Sequence, residues 1–310
     1  MMIILYTTLL LVIFQQNVHS TSMSSANITA GGLLDKSILK LEQNVQRLTY
    51  FTQELETEYE TLKGEIIDLK KLHKPCEPCK RSTKDDNVCD CTNFEPQNDC
   101  LTFFQNGFKI DGVYRLKGPG FHILHAYCDQ TSQGGGWTVF QRRQDGSVDF
   151  RRNWNDYKDG FGSLESEFWF GNENIHDLTK PSFAPKKSQL LINMRMKGKL
   201  LPEYVKYENF DVTSEKSKYT LKITGLSGNA TSNRNAMDYH NGMKFTTFDS
   251  ENSNGNCRNT YGGSGWWYNS CSRVNLNAPY TFTGKGGEIF WSSVKHQQPE
   301  FVEMKMKRNL

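Results

Sequence analysis

Six leucines spaced seven residues apart set the strongest constraint on what this chain can fold into. Leu34, Leu41, Leu48, Leu55, Leu62 and Leu69 repeat without exception, and Ile38, Val45, Thr52, Tyr59, Ile66 and His73 follow them at four residues. This period puts both sets on one narrow seam of an α-helix, the d and a positions of a coiled coil. Gly64 is the one glycine inside the run, and Pro75, which has no amide hydrogen to donate, stops it. At 1.5 Å per residue the rod measures about 60 Å. A lone helix would leave that seam in water, so residues 33–74 are expected to form a coiled coil holding a homo-oligomer. Leu at d favours two strands, while Thr52, Tyr59 and His73 blur the choice.

The residues ahead of the helix bear on the compartment. Met1 to Phe14 is an uncharged apolar run, and Val18-His19-Ser20 ends in small residues suited to cleavage. Residues 1–20 therefore read as a signal peptide and 21–32 as a linker. The run is shorter than the roughly 20 apolar residues of a membrane span, and no later segment is more apolar, so no membrane insertion is expected. Secretion to an extracellular, oxidising environment suits the eight cysteines. It also suits two glycosylation sequons, at Asn27 and Asn229. A net charge of +3 with no block of basic residues gives no reason to expect a nucleic-acid partner.

Residues 75–95 form a Cys-rich connector. Cys76, Cys79, Cys89 and Cys91 lie among Lys, Asp, Glu and Pro. Four thiolates in a CxxC and CxC arrangement suffice for a tetrahedral zinc site, whereas a secreted chain favours disulfides. Cysteines at the end of a coiled coil sit where neighbouring chains are close, so interchain bridges are the preferred expectation. The pairing itself does not follow from sequence.

From residue 96 to 310 the texture changes to Gly, aromatics and short apolar runs. All six tryptophans lie here, as a compact core requires. Strands are expected at Trp137–Arg142, Gln189–Met196, Tyr219–Ile223 and Phe301–Lys307, with short helices at Ser163–Phe168 and Ile175–Leu178. The fold class is α+β with long loops.

The segment Gly134–Thr179 (GGGWTVFQRRQDGSVDFRRNWNDYKDGFGSLESEFWFGNENIHDLT) closely resembles the fibrinogen C-terminal domain shared by fibrinogen chains, ficolins, tachylectins, tenascins and angiopoietins. The similarity resumes in YHNGMKFTTFD (Tyr239–Asp249), GWWYNSCSRVNLN (Gly265–Asn277) and VEMKMK (Val302–Lys307). It implies a globular domain with disulfides Cys100–Cys128 and Cys257–Cys271. It also implies Ca²⁺ in the loop before Cys257, with Asp249, Glu251, Ser253 and Gly255 as ligands. Glu251 stands where relatives usually carry a second Asp, and the loop is two residues short, so that aligned from its N-terminal side Glu251 and Ser253 take the two acidic positions; either way weak affinity is expected. A ligand pocket is implied around Tyr261, Trp266, Trp267, Tyr268, Ser270, Cys271 and Ser272. Ser272 replaces a His common in acetyl-sugar lectins of the family, and Gly286 stands where several members have Asp.

No HExxH, GxSxG or phosphate-cradling Gly-rich loop occurs, so the sequence gives no enzyme signature. Two binding classes remain. One is a protein that recognises an extracellular or cell-surface protein or glycan; the other is a calcium-dependent innate-immune lectin for acetylated sugars. A stalk that multiplies weak sites serves either.

Overall fold

The computed structural model describes residues 28–72, 76, 79–83, 88–118, 122–199, 201–230, 236–281, 287–291 and 298–310, with side chains of the first helix described over 38–63. The leader, Asn27 and Gly286 lie outside these residues. The chain divides into two units, Met1–Lys74 and Pro75–Leu310.

The described residues of the first unit form one uninterrupted helix, α1 (Ile28–Leu72). Thr49, Thr52, Thr57 and Thr61 sit inside it without breaking it. Each hydroxyl donates to the carbonyl four residues back, which satisfies the side chain within the helix. The leucine seam faces solvent: Leu41, Leu48, Leu55 and Leu62 are 58%, 65%, 64% and 50% exposed.

The second unit is α+β, a mixed sheet with short helices. Its strands, in chain order, are β1 (Lys80–Arg81), β2 (Cys89–Asp90), β3 (Gly112–Lys117), β4 (Ile123–Asp129), β5 (Trp137–Arg143), β6 (Phe161–Gly162), β7 (Phe168–Trp169), β8 (Ser188–Met196), β9 (Glu203–Val212), β10 (Leu221–Gly228), β11 (Val274–Asn275), β12 (Phe290–Trp291) and β13 (Pro299–Arg308). The main sheet runs β1-β2-β3-β4-β5-β13-β8-β9-β10, with β7 also on β5 and β6 on β7. Only the β2–β3 pairing is parallel among the described strands. β11 and β12 form a separate ribbon that pairs Val274 with Trp291.

The last strand, β13, inserts between β5 and β8, pairing Val302 with Arg143 and with Met194. β5 is buried along its whole length, so the alternation of a one-sided strand is absent and TVF reads as a continuous apolar run. Charges buried at this junction are paired. Lys305 is fully buried and contacts Asp129 and, at 2.9 Å, Glu303; Arg142 meets Glu303 at 2.8 Å. Burial alone would push the Asp129 carboxyl up, but Lys305 beside it pulls it down to about 2. The network is therefore ionic.

Beside it, helix α2 (Cys100–Gln105) is capped by Asp99, whose carboxylate accepts the Thr102 N–H at 2.8 Å. Helix α3 (Trp154–Asp159) is capped in the same way by Asn153. Helix α4 (Asn172–Thr179) buries Ile175 and Leu178.

The four expected strands and the helix around Ile175–Leu178 are present with shifted ends; the third begins at Leu221. Ser163–Phe168 is not helical. The carboxylate of Glu167 is buried and accepts the N–H groups of Gln144, Asp145, Gly146 and Val148, so it clamps a neighbouring turn. The segment instead turns between β6 and β7.

The connector cysteines require a second correction. Cys76 pairs with Cys89 and Cys79 with Cys91, both within one chain. The pairs fasten the connector to β2, which adds to the sheet edge, and leave none of the four for an interchain staple or a zinc ion. Cys100–Cys128 and Cys257–Cys271 form the other two bridges. Denaturing electrophoresis without reductant is accordingly expected to give a monomer band. A ladder that collapses on reduction would return the connector cysteines to bridges between chains.

Candidate functional site

The residues singled out around Cys257–Cys271 divide into a buried floor and an exposed rim. Trp266, Trp267 and Tyr268 form the floor, each with no exposed surface. Trp267 Nε1 donates to the Tyr219 carbonyl at 2.8 Å, and the Tyr268 hydroxyl donates to the Ser264 carbonyl at 2.9 Å. A Cβ on Gly265 would lie 2.5 Å from the Tyr157 ring, so only glycine lets this stretch approach α3. These three aromatics hold the core together and do not line a pocket, which corrects the expectation for them. Sequence composition could not separate the two roles, because a buried and a ligand-facing Trp look alike.

The rim carries Tyr261, Ser270, Cys271 and Ser272. Tyr261 is half-buried, stacked on Tyr268 at 5.8 Å and tilted on Phe290 at 5.4 Å. Burial pushes its phenol up, and the Ser272 backbone N–H opposes this. Ser270 is exposed, and its carbonyl accepts the Tyr239 hydroxyl at 2.8 Å. Ser272 turns its hydroxyl inward to the Val274 carbonyl at 2.6 Å.

Two residues hold this rim in place that sequence reasoning gave no role, although both stand in quoted motifs. His240 is fully buried beneath it. Its Nε2 accepts N–H groups from Arg273 (3.2 Å) and Val274 (3.3 Å), so Nδ1 carries the proton and donates to the Trp267 carbonyl at 2.7 Å. Arg273 lies with its guanidinium 4.6 Å from the centre of the Tyr239 ring.

The loop before Cys257 is tied by its own carboxylates. Asp249 Oδ1 accepts the Thr247 hydroxyl at 2.6 Å and the Trp154 N–H at 3.0 Å, joining the loop to the start of α3. Glu251 accepts from Ser253 through Oε1 and from the Arg258 N–H, at 3.1 Å, through Oε2. The Ser253 hydroxyl also accepts the Cys257 N–H at 3.2 Å. Gly255 is exposed, with the Cys257 sulfur 3.2 Å from where its Cβ would stand. Among the described residues no three acidic, His or Cys side chains group around one point. With only two carboxylates, both already accepting hydrogen bonds, this donor set fits no more than a weak calcium site.

Asn229 is exposed, and its Oδ1 accepts the Tyr204 N–H at 2.7 Å. A cleft of about 620 Å³ lies elsewhere, between Pro181–Lys187 and the β9–β10 pair. None of the residues expected to form the pocket lines it, and its floor pairs with itself, as in the 3.0 Å contact from Asn209 to Thr224.

The comparisons agree with this architecture. The family described as "Fibrinogen beta and gamma chains, C-terminal globular domain" matches residues 96–309, and the chain belongs to that family. It is 40% identical to rat tenascin-R over 220 residues, which are 69% of this chain and 16% of tenascin-R. The chain thus spans about a sixth of that relative's length. It is 33% identical to human angiopoietin-related protein 7 over 254 residues, covering 80% of this chain and 67% of the relative. The solved fibrinogen-like globe domain of human ANGPTL6 superposes with a TM-score of 0.63 at 31% identity, covering 70% of this chain and 97% of that one.

Burial, with a smaller push from Arg273, drives the His240 imidazole down to about 4 from its ordinary 6.5. The unfolded chain then binds the proton more readily than the native one. The stabilisation is fully present above pH 6.5 and is lost as pH falls to 4, about 3 kcal/mol in all. Thermal melts are expected to weaken steadily across that window, and His240→Gln should flatten this part of the profile. Equal slopes in both proteins would show that His240 is not the titrating group.

Proposed function

We propose that this chain is a secreted, oligomeric, non-catalytic recognition protein. Its fibrinogen-like domain binds an extracellular protein or glycan at the rim formed by Tyr261, Tyr239 and Ser270–Arg273. The observation that carries the reading is a short exposed segment fixed from within. A disulfide holds it at Cys271, buried His240 holds two of its N–H groups, and two tyrosines flank it. Such pre-organisation lowers the ordering cost of binding. The family is one of non-enzymatic extracellular recognition modules, and no helix among the described residues is long and apolar enough to cross a membrane. The exposed leucine seam of α1 supports self-association through a coiled coil, which multiplies weak sites by avidity.

Binding of the disulfide-intact protein to arrayed glycans and extracellular proteins tests the reading. Tyr261→Ala is expected to weaken whatever is bound by about tenfold or more while the fold persists. Unchanged binding would remove the rim from the interface. Sedimentation should give a multiple of the monomer mass that Leu48→Asp with Leu55→Asp reduces to one chain; a wild-type monomer would sink the stalk's proposed role.

Calcium enters only as a weak ligand, with Asp249 and Glu251 as its anionic contacts and Ser253 and Gly255 completing the set. Calorimetric titration is expected to place the dissociation constant at about 1 mM or weaker. Micromolar affinity would mean that the loop exchanges its internal hydrogen bonds for the ion.

A further inference from the structure

The sequence contains three Asn–Gly pairs, Asn106–Gly107, Asn241–Gly242 and Asn254–Gly255. In such a pair the glycine nitrogen can attack the asparagine side-chain carbonyl, because no Cβ on the glycine shields it. All six residues are exposed, so access to water does not separate the pairs. Hydrogen bonding does. The Gly107 N–H donates to the Phe104 carbonyl at 3.2 Å, and the Gly242 N–H to the Leu221 carbonyl at 2.8 Å. The Asn241 side chain is held as well, its Oδ1 accepting the Ile223 N–H at 2.9 Å. Among the described residues the Gly255 N–H has no acceptor. An N–H that donates to a carbonyl keeps its proton and its direction, whereas a free one can lose the proton and turn toward the neighbouring amide. The surroundings also hold position 255 to glycine, since a Cβ there would crowd the Cys257 sulfur at 3.2 Å and Ser270 Cα at 3.4 Å.

We propose that Asn254 is a site of spontaneous deamidation, and that its conversion releases the loop before Cys257 from the segment leading into Cys271. The Gly255 nitrogen gives its proton to solvent and bonds to Asn254 Cγ. The side-chain nitrogen takes a proton from solvent and leaves as ammonia, which closes a cyclic imide. Water opens the imide at either carbonyl, so the product is aspartate or isoaspartate. One water enters, one ammonia departs, and nothing is oxidised or reduced.

The release follows from what Asn254 holds. Its Nδ2 donates to Asn269 Oδ1 at 3.1 Å. Asn269 cannot reverse its amide to meet a carboxylate without losing another bond, because its own Nδ2 donates to the Tyr239 carbonyl at 2.9 Å. A carboxylate at position 254 therefore sets oxygen against oxygen and removes the tie. The Asn269 N–H donates to the Cys271 carbonyl at 2.9 Å, so its hydrogen exchange reports how firmly that segment is held.

The test incubates the intact, full-length protein at neutral pH. Peptide mass spectrometry follows the gain of about 1 Da that a hydroxyl in place of an amino group gives at each pair. In the native protein Asn254 is expected to convert about tenfold faster than Asn106 and Asn241, the protection that one backbone hydrogen bond gives. In denaturant, with disulfides intact, the three rates should converge, and Asn254→Gln should abolish the gain in its peptide. Exchange at the Asn269 N–H should run about 2- to 10-fold faster in Asn254→Asp than in freshly prepared wild type. Native conversion of Asn106 or Asn241 at the rate of Asn254 overturns the site, and so does an Asn254 that is stable in the native protein while it converts in denaturant. Conversion at Asn254 with unchanged exchange at Asn269 keeps the site and overturns the release.

Discussion

The fold closes only when its last strand enters the middle of its sheet. β13 is flanked by β5 and β8, so the sheet halves built from residues 112–143 and 188–228 have no common strand until the C-terminal segment arrives. Hydrophobic burial drives this step through Val302, Met304 and Met306, and the ionic junction fixes its register. Lys305 reaches Asp129 on β4 only when β13 is in place, and Glu303, its neighbour on β13, then meets Arg142 on β5. Sliding the strand by one residue would part Lys305 from Asp129 and Glu303 from Arg142, and removing a partner from a buried ion pair costs about 3–5 kcal/mol. Pairings this distant in sequence are slow to form, which gives the four disulfides a further value as constraints on the unfolded chain.

Much of this was legible beforehand, for physical reasons that differ by region. The α1 helix announces itself because seven-residue spacing has one simple structural meaning. The strand at Trp137 was visible as a short apolar run, and that at Phe301 as Met alternating with charged residues. The turn at Ser163–Phe168 was not, because its conformation is imposed by Glu167 reaching back to four N–H groups near residue 145, a relation no local pattern contains. The connector cysteines were misassigned for a similar reason: the choice between partners in the same chain and in another depends on whether β2 joins the sheet.

At the rim, sequence located the neighbourhood and missed its mechanics. Tyr261, Ser270 and Ser272 lie together beside the Cys257–Cys271 bridge, yet the three aromatics between them in sequence belong to the core. Residue type reveals that Trp and Tyr will be valuable, but not which side of the backbone they take. His240 and Arg273 were passed over because their roles are relational. A histidine matters here through two backbone N–H groups more than thirty residues away, and an arginine through a tyrosine ring as distant in sequence.

These features fit together as a division of labour between stability and recognition. Buried charges such as Arg142 and Lys305 are matched and have no capacity left for a ligand. Arg273 at the rim has its backbone held from behind by His240, and among the described residues no carboxylate pairs with it. An exposed interaction of this kind is modest in water, since screening and desolvation consume much of its Coulomb energy. A domain that recognises through such contacts therefore gains from being joined to its copies. The proposed means of joining is the leucine seam of α1, whose Leu41, Leu48, Leu55 and Leu62 are all at least half exposed.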